Sequence, residues 1–477
     1  MNVFLVSMGC AKNTVDSERL MGRLTALGHR AVEDPHEAEV GIINTCGFIQ
    51  DAVKENIDAI LDLEQMKEQG VLPHIIVAGC LVNRYEAELR KELPTVDLFA
   101  RAEEWDTVAA FLQDLTRGAA GKAAHPRASG GIRPSRPSGE PPCPSQGPEG
   151  NGGAPQRSCQ RVNLLPGTPW SRYLKVSEGC STCCSYCAIP LIRGGLRSTP
   201  VEQLVEEAQG LCAAGAKELC LVGQDLTVYG QDLYGEPALR RLLSGLNSAL
   251  PDGTWLRLLY LHPDRVTEEL ADFLLGTEKV LHYLDIPIQH INDGILTRMN
   301  RSRGSSGTHI RRIFRALRKR DPLFTLRTTV MTGFPGETET AFQELCDFIQ
   351  EAEPDHAGAF VYSPEEGTPA ASFPDAVPGE IAEERCARLM ELQSAAARER
   401  SGLFIGKDLD VLIEETDPEA GEAWGRSYRD APEVDGMVCV QSEASGELPQ
   451  PGEKIRVHVT DCAEQDLFGE PVEGGEQ

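Results

Sequence analysis

The chain has 477 residues, enough for about three domains at roughly 150 residues each. Apolar residues make up 41% and charged residues 25%, which excludes a disordered acidic tail or a membrane protein as a description of the whole. Lys and Arg number 46 against 73 Asp and Glu, and a net charge of −27 repels phosphate backbones, so generic nucleic-acid binding is disfavoured.

Residues 1–117 alternate short apolar runs with helical patterns. Asn2–Val6, Val40–Asn44 and His74–Ala78 read as strands and Thr14–Leu27 and Ile49–Glu68 as helices, which predicts a parallel α/β domain. The opening run is apolar but lacks a basic flank and meets charge at Lys12, so neither a signal peptide nor a lipoprotein signal ending at Cys10 is expected. Residues 118–168 are dominated by Gly, Pro, Ala, Ser and Arg without a period. Such a composition buries too little surface to offset its ordering entropy, and a disordered linker is expected there.

In residues 169–402 the alternation resumes. Candidate strands are Tyr173–Ser177, Glu218–Val222, Leu256–Leu261, Tyr283–Pro287, Leu326–Met331 and Gly358–Val361. Candidate helices between them are Val201–Ala214, Ala238–Leu246, Val266–Leu275, Ile310–Lys319 and Glu339–Ile349. Six consecutive βα units predict a partial parallel (βα)6 barrel with its chemistry in the loops after the strands. Residues 403–477 alternate in the β manner at Leu409–Ile413, Met437–Gln441 and Ile455–Val459, which predicts a small antiparallel β-barrel. This last module holds five basic residues against nineteen acidic ones, a net charge of −14.

Fifteen cysteines are too sparse for a disulfide scaffold, and their odd number fits metal or thiol chemistry in a reducing compartment. No apolar run reaches the roughly 18 residues that a spanning helix needs. A cytoplasmic protein with no membrane partner is expected.

Two cysteine sets carry the chemistry. Glu178-Gly179-Cys180-Ser181-Thr182-Cys183-Cys184-Ser185-Tyr186-Cys187 follows the first strand of the central unit. Its spacing reads as Cx3Cx2C through Cys184, or as Cx2Cx3C through Cys183. Three thiolates in one loop suit three irons of a [4Fe–4S] cluster and leave the fourth iron open to a small molecule. A structural zinc knot would need a fourth ligand, and no further Cys or His follows in the loop. The second set is Cys10, Cys46 and Cys80, each ending an apolar run beside a glycine. If those runs are neighbouring parallel strands, the three thiols share one sheet edge, where a doubly wound sheet binds ligands. Three buried structural cysteines are the plain alternative.

The cysteine loop on the first strand of a six-unit βα barrel resembles the radical S-adenosylmethionine enzymes, and that pattern favours Cys180, Cys184 and Cys187. The resemblance implies that the open iron takes S-adenosylmethionine, with contacts from Tyr186, from Gly223 and Gln224 in Gly223-Gln224-Asp225, and from Gly333, Gly336 and Glu337 in Gly333-Phe334-Pro335-Gly336-Glu337. Gly9-Cys10-Ala11-Lys12-Asn13-Thr14-Val15-Asp16-Ser17-Glu18, Asn44-Thr45-Cys46-Gly47-Phe48-Ile49 and Ala78-Gly79-Cys80-Leu81-Val82-Asn83-Arg84-Tyr85 narrow the resemblance to the methylthiotransferases. That family implies two [4Fe–4S] clusters, the second held by Cys10, Cys46 and Cys80, with S-adenosylmethionine as both methyl donor and radical source. It also implies a TRAM-like C-terminal barrel and a low-potential electron donor such as flavodoxin or ferredoxin. A monomer is expected.

Members of the family modify either a transfer-RNA adenosine or an aspartate of small-subunit ribosomal protein twelve. Tyr362-Ser363-Pro364-Glu365-Glu366-Gly367-Thr368, Arg426-Ser427-Tyr428-Arg429-Asp430-Ala431-Pro432-Glu433-Val434-Asp435-Gly436 and Asp466-Leu467-Phe468-Gly469-Glu470-Pro471 resemble the ribosomal-protein branch, free or on the ribosome. Tyr283–His290 is general to the family. The acidic C-terminal module agrees, because it repels RNA and attracts a basic protein. The rivals are a transfer-RNA methylthiotransferase and a non-catalytic iron–sulfur or zinc protein that binds RNA. Arg311, Arg312, Arg315, Arg318, Lys319 and Arg320 form a basic helix, read as the solvated outer face of the barrel rather than a contact for ribosomal RNA. No side chain is assigned acid–base catalysis, and His262 and His290, at strand ends, are given supporting roles.

Overall fold

The computed structural model describes residues 1–118, 161–164, 169–301, 306–441 and 448–472. Five parallel strands, β1 (Asn2–Ser7), β2 (Arg30–Val32), β3 (Val40–Thr45), β4 (His74–Gly79) and β5 (Leu98–Arg101), form the first sheet in the order β2-β1-β3-β4-β5. Alternation along the strands sends Ile42 and Ile76 to one face and Ile43, Ile75 and Val77 to the other. Helices α1 (Ala11–Ala26) and α4 (Trp105–Thr116) cover the first face, and α2 (Gln50–Glu68) and α3 (Cys80–Glu92) the second. Strands β2 and β5 were not anticipated. Each has only three or four residues, at the sheet edges, and carries no periodic signal.

Of the linker expected over 118–168, residues 119–160 and 165–168 lie outside the described residues. Residues 161–164 correct that expectation. The Arg161 side chain, 2% exposed, pairs with Glu18 and Glu207, and Val162 and Leu164 pack on the first sheet's core. Buried carboxylates elsewhere in the chain hold this piece, which composition alone does not reveal.

The central unit begins with β6 (Ser171–Lys175) and a small antiparallel pair, β7 (Ser177–Glu178) with β8 (Arg197–Ser198), around α5 (Ile189–Arg193). It continues through α6 (Val201–Ala213), β9 (Glu218–Val222), α7 (Gln231–Tyr234), α8 (Leu239–Ala249), β10 (Trp255–Leu258), α9 (Glu268–Leu275) and β11 (Val280–Asp285). It ends with α10 (Asp293–Arg298), α11 (Gly307–Arg320), β12 (Thr325–Thr332), α12 (Glu339–Ala352), β13 (His356–Val361) and α13 (Gly379–Gly402). Six strands pair in parallel in the order β6-β9-β10-β11-β12-β13, an open partial barrel. Leu219, Leu221, Leu256, Leu258, Leu284 and Leu326 face the helices, which places the intervening Glu218, Cys220, Arg257 and Tyr283 on the concave side. No helix among the described residues is long and apolar enough to cross a membrane.

Strands β14 (Asp408–Asp417), β15 (Glu422–Arg426), β16 (Val438–Gln441), β17 (Lys454–Ala463) and β18 (Asp466–Pro471) close a barrel. Its pairs are antiparallel except β16 with β18, which run parallel because the β17–β18 hairpin returns alongside β16. The Arg426–Gly436 segment leaves this barrel and enters the concave face of the central sheet. There Glu218 accepts from Arg257 Nε and Arg426 Nη2 at 2.7 Å each, and Tyr283 Oη donates to Asp435 at 2.8 Å. Arg327 also pairs with Asp435, and the His356 ring meets the Arg429 carbonyl at 3.0 Å.

Against the desolvation of complete burial, Arg426 and Arg257 hold the Glu218 carboxyl at about 2. Because that lies below its unfolded value, the stabilisation is fully present above the ordinary glutamate range and is lost as pH falls through about 2. Glu218→Gln should lower stability at neutral pH by about 3–5 kcal/mol, since two buried guanidinium groups lose their carboxylate. Chemical denaturation measures the deficit, and its gap to wild type should narrow as acid protonates Glu218.

Candidate functional site

Strands β1, β3 and β4 are neighbours, with Ser7 opposite Asn44 and Thr45 opposite Gly79, so the residues that follow them share one edge. Cys10 caps α1, Cys46 follows β3, and Cys80 opens α3. Close approach depends on Gly9, at φ +90°, where a Cβ would stand 2.7 Å from the Cys46 Cβ and 3.2 Å from its sulfur. The three sulfurs act on one another. Burial pushes the Cys80 thiol up to about 12, opposed by Arg193 and reinforced by Cys10 and Cys46. Burial raises Cys46 in the same way, opposed by the Phe48 N–H and reinforced by Cys10.

The second set lies between β7 and α5. Cys180, Cys184 and Cys187 carry free thiols, and burial followed by Cys184 pushes Cys187 up to about 12. Cys183 has φ +54° and its sulfur lies 3.6 Å from the Ser181 carbonyl oxygen. No three His, Cys, Asp or Glu side chains among the described residues close on a single metal ion.

Each set has a buried arginine at one sulfur. Arg193 Nε donates to Cys80 Sγ at 3.1 Å, and Arg301 Nη1 donates to Cys184 Sγ at 3.6 Å. Arg193 belongs to α5 of the central unit and also reaches Asp16 at 3.1 Å, Glu178 at 2.8 Å and the Asn13 side-chain oxygen Oδ1. Lys175 completes the group, paired with Asp16 and, at 2.8 Å, with Glu178. Although burial opposes it, Lys175 and Arg193 hold the Glu178 carboxyl well below the usual carboxylate range. These four charges join the first sheet's α1 to the loop that carries the second cysteine set. Asp16 and Glu178 lie in the cysteine motifs, but their pairing with Lys175 and Arg193 is not legible in the sequence, because Asp16 stands far from its partners along the chain.

The residues expected to meet S-adenosylmethionine gather at the C-terminal ends of the central strands. Gly223 follows β9, and its carbonyl accepts from Lys12 Nζ at 3.3 Å. Gln224 is half-buried beside it. Tyr186 packs on Phe334 at 6.5 Å and hydrogen-bonds Arg301 at 3.3 Å. Glu337 braces its own turn, accepting from Gly333 N at 2.8 Å and from Arg385 at 2.9 Å. At Gly336, φ is +86° and a Cβ would lie 2.9 Å from the Arg298 guanidinium carbon.

Several buried polar atoms at this end have no hydrogen-bond partner among the described residues: Ser177 Oγ, His262 Nε2, Gln289 Oε1, His290 Nε2 and Tyr362 Oη. The Nδ1 of His262 accepts from Asp264 N, and that of His290 from Ile291 N and Asn292 N, so each ring presents a protonated Nε2. Burial, then Arg301 and Arg265, depress His262 to about 2; burial, then Arg385, depress His290 to about 3. Both rings are neutral donors. Unspent donors and acceptors at strand ends fit a polar, multiply hydrogen-bonding cofactor. Gln289, at φ +67°, joins this set from the Tyr283–His290 motif, to which the sequence assigns no cofactor contact.

The acidic pair Glu365-Glu366 divides. Glu365 is buried against Arg84 of α3 at 2.8 Å, whereas Glu366 is exposed. Arg84 also donates to the Gly47 carbonyl at 3.0 Å, so the loop after β13 is tied to the loop of Cys46. The basic helix α11 is largely neutralised by its neighbours, with Arg311 and Arg315 on Glu351, Arg318 on Asp355, and Arg320 on Glu268 and Asp272.

Residues 2–100 match the uncharacterized protein family UPF0004, residues 174–349 the radical SAM superfamily, and residues 405–472 the TRAM domain. The chain is 40% identical over 471 residues to the ribosomal protein uS12 methylthiotransferase RimO of Geobacter sulfurreducens, covering 98% of each. It is 39% identical over 476 residues to the Aquifex aeolicus protein of the same name, covering 99% of this chain and 98% of that one. Among solved structures it resembles the radical S-adenosylmethionine methyltransferase TsrM of Kitasatospora setae with tryptophan and a cofactor analogue bound. The TM-score is 0.55 at 15% identity, over 87% of this chain and 79% of that one, a likeness of fold.

The Arg84–Glu365 pair is 9% and 4% exposed, so removing one partner strands a buried charge. Arg84→Met and Glu365→Gln should each destabilise by about 3–5 kcal/mol, and the double variant by less than their sum. A denaturation double-mutant cycle reads that coupling, and strict additivity would show that the contact is not formed.

Proposed function

The chain belongs to the ribosomal protein uS12 methylthiotransferase family and is a radical S-adenosylmethionine methylthiotransferase, and from that premise we propose that it methylthiolates the β-carbon of an aspartate on small-subunit ribosomal protein twelve. The observation that carries the reading is the convergence of two cysteine triads on one interface, each at the C-terminal edge of its own parallel sheet.

In this reading Cys180, Cys184 and Cys187 hold one [4Fe–4S] cluster with an open iron, and Cys10, Cys46 and Cys80 hold the other. With S-adenosylmethionine bound, these groups supply the radical, the sulfur and the methyl group, chemistry that no acid or base of the protein offers an unreactive C–H bond. The protein's own residues bind, orient and enclose. Tyr186, Gly223, Gln224, Gly333, Gly336 and Glu337 shape the cofactor's bed, with Ser177 Oγ, Gln289 Oε1 and the ring N–H groups of His262 and His290 as polar contacts. Neutral histidines matter here, because the cofactor's sulfonium carries a positive charge that a protonated ring would repel. Phe334, Tyr362 and Phe373 pack beside Tyr186 as an apolar wall, and the Arg426–Gly436 segment fills the opposite end of the barrel. Together they exclude water from a reactive intermediate.

The substrate assignment draws on charge. The C-terminal module carries a net charge of −14, and the buried side chains of Arg426, Arg429, Asp430 and Asp435 contribute two charges of each sign to it. That field attracts a basic ribosomal protein and repels transfer RNA. The protein acts as a cytoplasmic monomer supplied by a low-potential donor such as flavodoxin or ferredoxin.

Anaerobically reconstituted protein should hold about eight irons, and a Cys180/Cys184/Cys187→Ala variant about four. Incubated with reductant and S-adenosylmethionine, wild type should add one methylthio group in place of one aspartate hydrogen of ribosomal protein twelve, read by tandem mass spectrometry, and the variant none. Modification of transfer-RNA adenosine instead would transfer the protein to the other branch of its chemistry. About four irons in wild type would return Cys10, Cys46 and Cys80 to a structural role.

A further inference from the structure

The N-terminal cysteine set is not completed by its own sheet. Arg193, 6% exposed, comes from α5 of the central unit and spends its guanidinium on four acceptors at once: Cys80 Sγ, Asn13 Oδ1, Asp16 and Glu178. Only a planar fork of five N–H donors meets so many acceptors from one buried position. Two acceptors belong to the first sheet's own helix α1, one is the cysteine sulfur, and one stands two residues before Cys180.

We propose that Arg193 is a positioning residue for the metal centre of Cys10, Cys46 and Cys80: by hydrogen-bonding the Cys80 sulfur, with Asp16 and Glu178 balancing its charge, it sets that centre's reduction potential from the neighbouring unit. The inference rests on the reading that those cysteines hold a cluster. A donor N–H at a ligating sulfur and a nearby positive charge stabilise the more negative, reduced state and raise the potential. Asp16 works in the opposite sense, because its carboxylate offsets the guanidinium and disfavours added negative charge. Arginine and aspartate of one ion pair therefore have opposite effects on potential, although both contribute to holding the units together.

The test uses the full chain in the Cys180/Cys184/Cys187→Ala background, so that only the N-terminal centre remains, with redox titration followed by electron paramagnetic resonance. Arg193→Gln should lower the potential by at least about 59 mV, a tenfold change for a one-electron couple. Arg193→Lys, which keeps the charge but not the fork, should fall between Gln and wild type. Asp16→Asn should shift the potential upward, and it keeps the test open if Arg193→Gln fails to fold. Iron present with Asp16→Asn and Arg193→Lys unmoved, or shifted the same way, overturns the inference alone. No iron in that background overturns the reading beneath it.

Discussion

The arrangement depends on four buried charges at the seam between the first sheet and the central barrel: Asp16, Lys175, Glu178 and Arg193. Two cations face two carboxylates, so the group is neutral as a whole and each member is paired. Taking such ions from water costs several kcal/mol apiece, and only good geometry and further hydrogen bonds offset that cost. What the network provides is position. Glu178 immediately precedes the barrel's cysteine loop, Asp16 lies in the helix that Cys10 caps, and Arg193 touches Cys80. One electrostatic node thus fixes both triads, and a shift of either unit would expose uncompensated charge.

A second node anchors the other end of the barrel. Glu218, Arg257 and Arg426, with Asp435, Arg327 and Tyr283, lock a segment of the C-terminal barrel into the concave face of the sheet. The hydrophobic group around Val15, Tyr173, Val222, Tyr283, Leu412 and Ala431 draws on all three units and packs them against one another beside their separate cores. The barrel is closed at the strands' N-terminal side by protein and left polar at the C-terminal side, where the unspent donors and acceptors lie. That asymmetry suits radical chemistry, which needs one enclosed mouth.

Much of this was legible in the sequence because the signals are local. Cys10, Cys46 and Cys80 end apolar runs, and adjacent parallel strands necessarily bring such ends together. The order of six βα units is likewise written in periodicity. Strands β2 and β5 were not legible, being too short at their edges to show a period. Arg193 and Arg301 look unremarkable in the chain, since their partners come from distant segments and only tertiary contact reveals them. The segment Arg426–Gly436 shows the same limit: its motif marks a branch of the family, but its burial against Glu218 gives it a docking role that no local pattern states. Residues 161–164 were averaged into a low-complexity window although Arg161 finds two carboxylates.

The central claim is that both cysteine triads hold clusters facing one shared interface. The most direct measurement is electron paramagnetic resonance of the fully reduced wild type, compared with the sum of spectra from the two triple-alanine variants, each lacking one triad. Two paramagnetic centres joined through α5, which packs on Cys80 and follows Cys187 in the chain, should couple, so the wild-type spectrum should be broadened or split relative to that sum. A wild-type spectrum that equals the sum would contradict the account, because it would place the two centres too far apart to share a substrate.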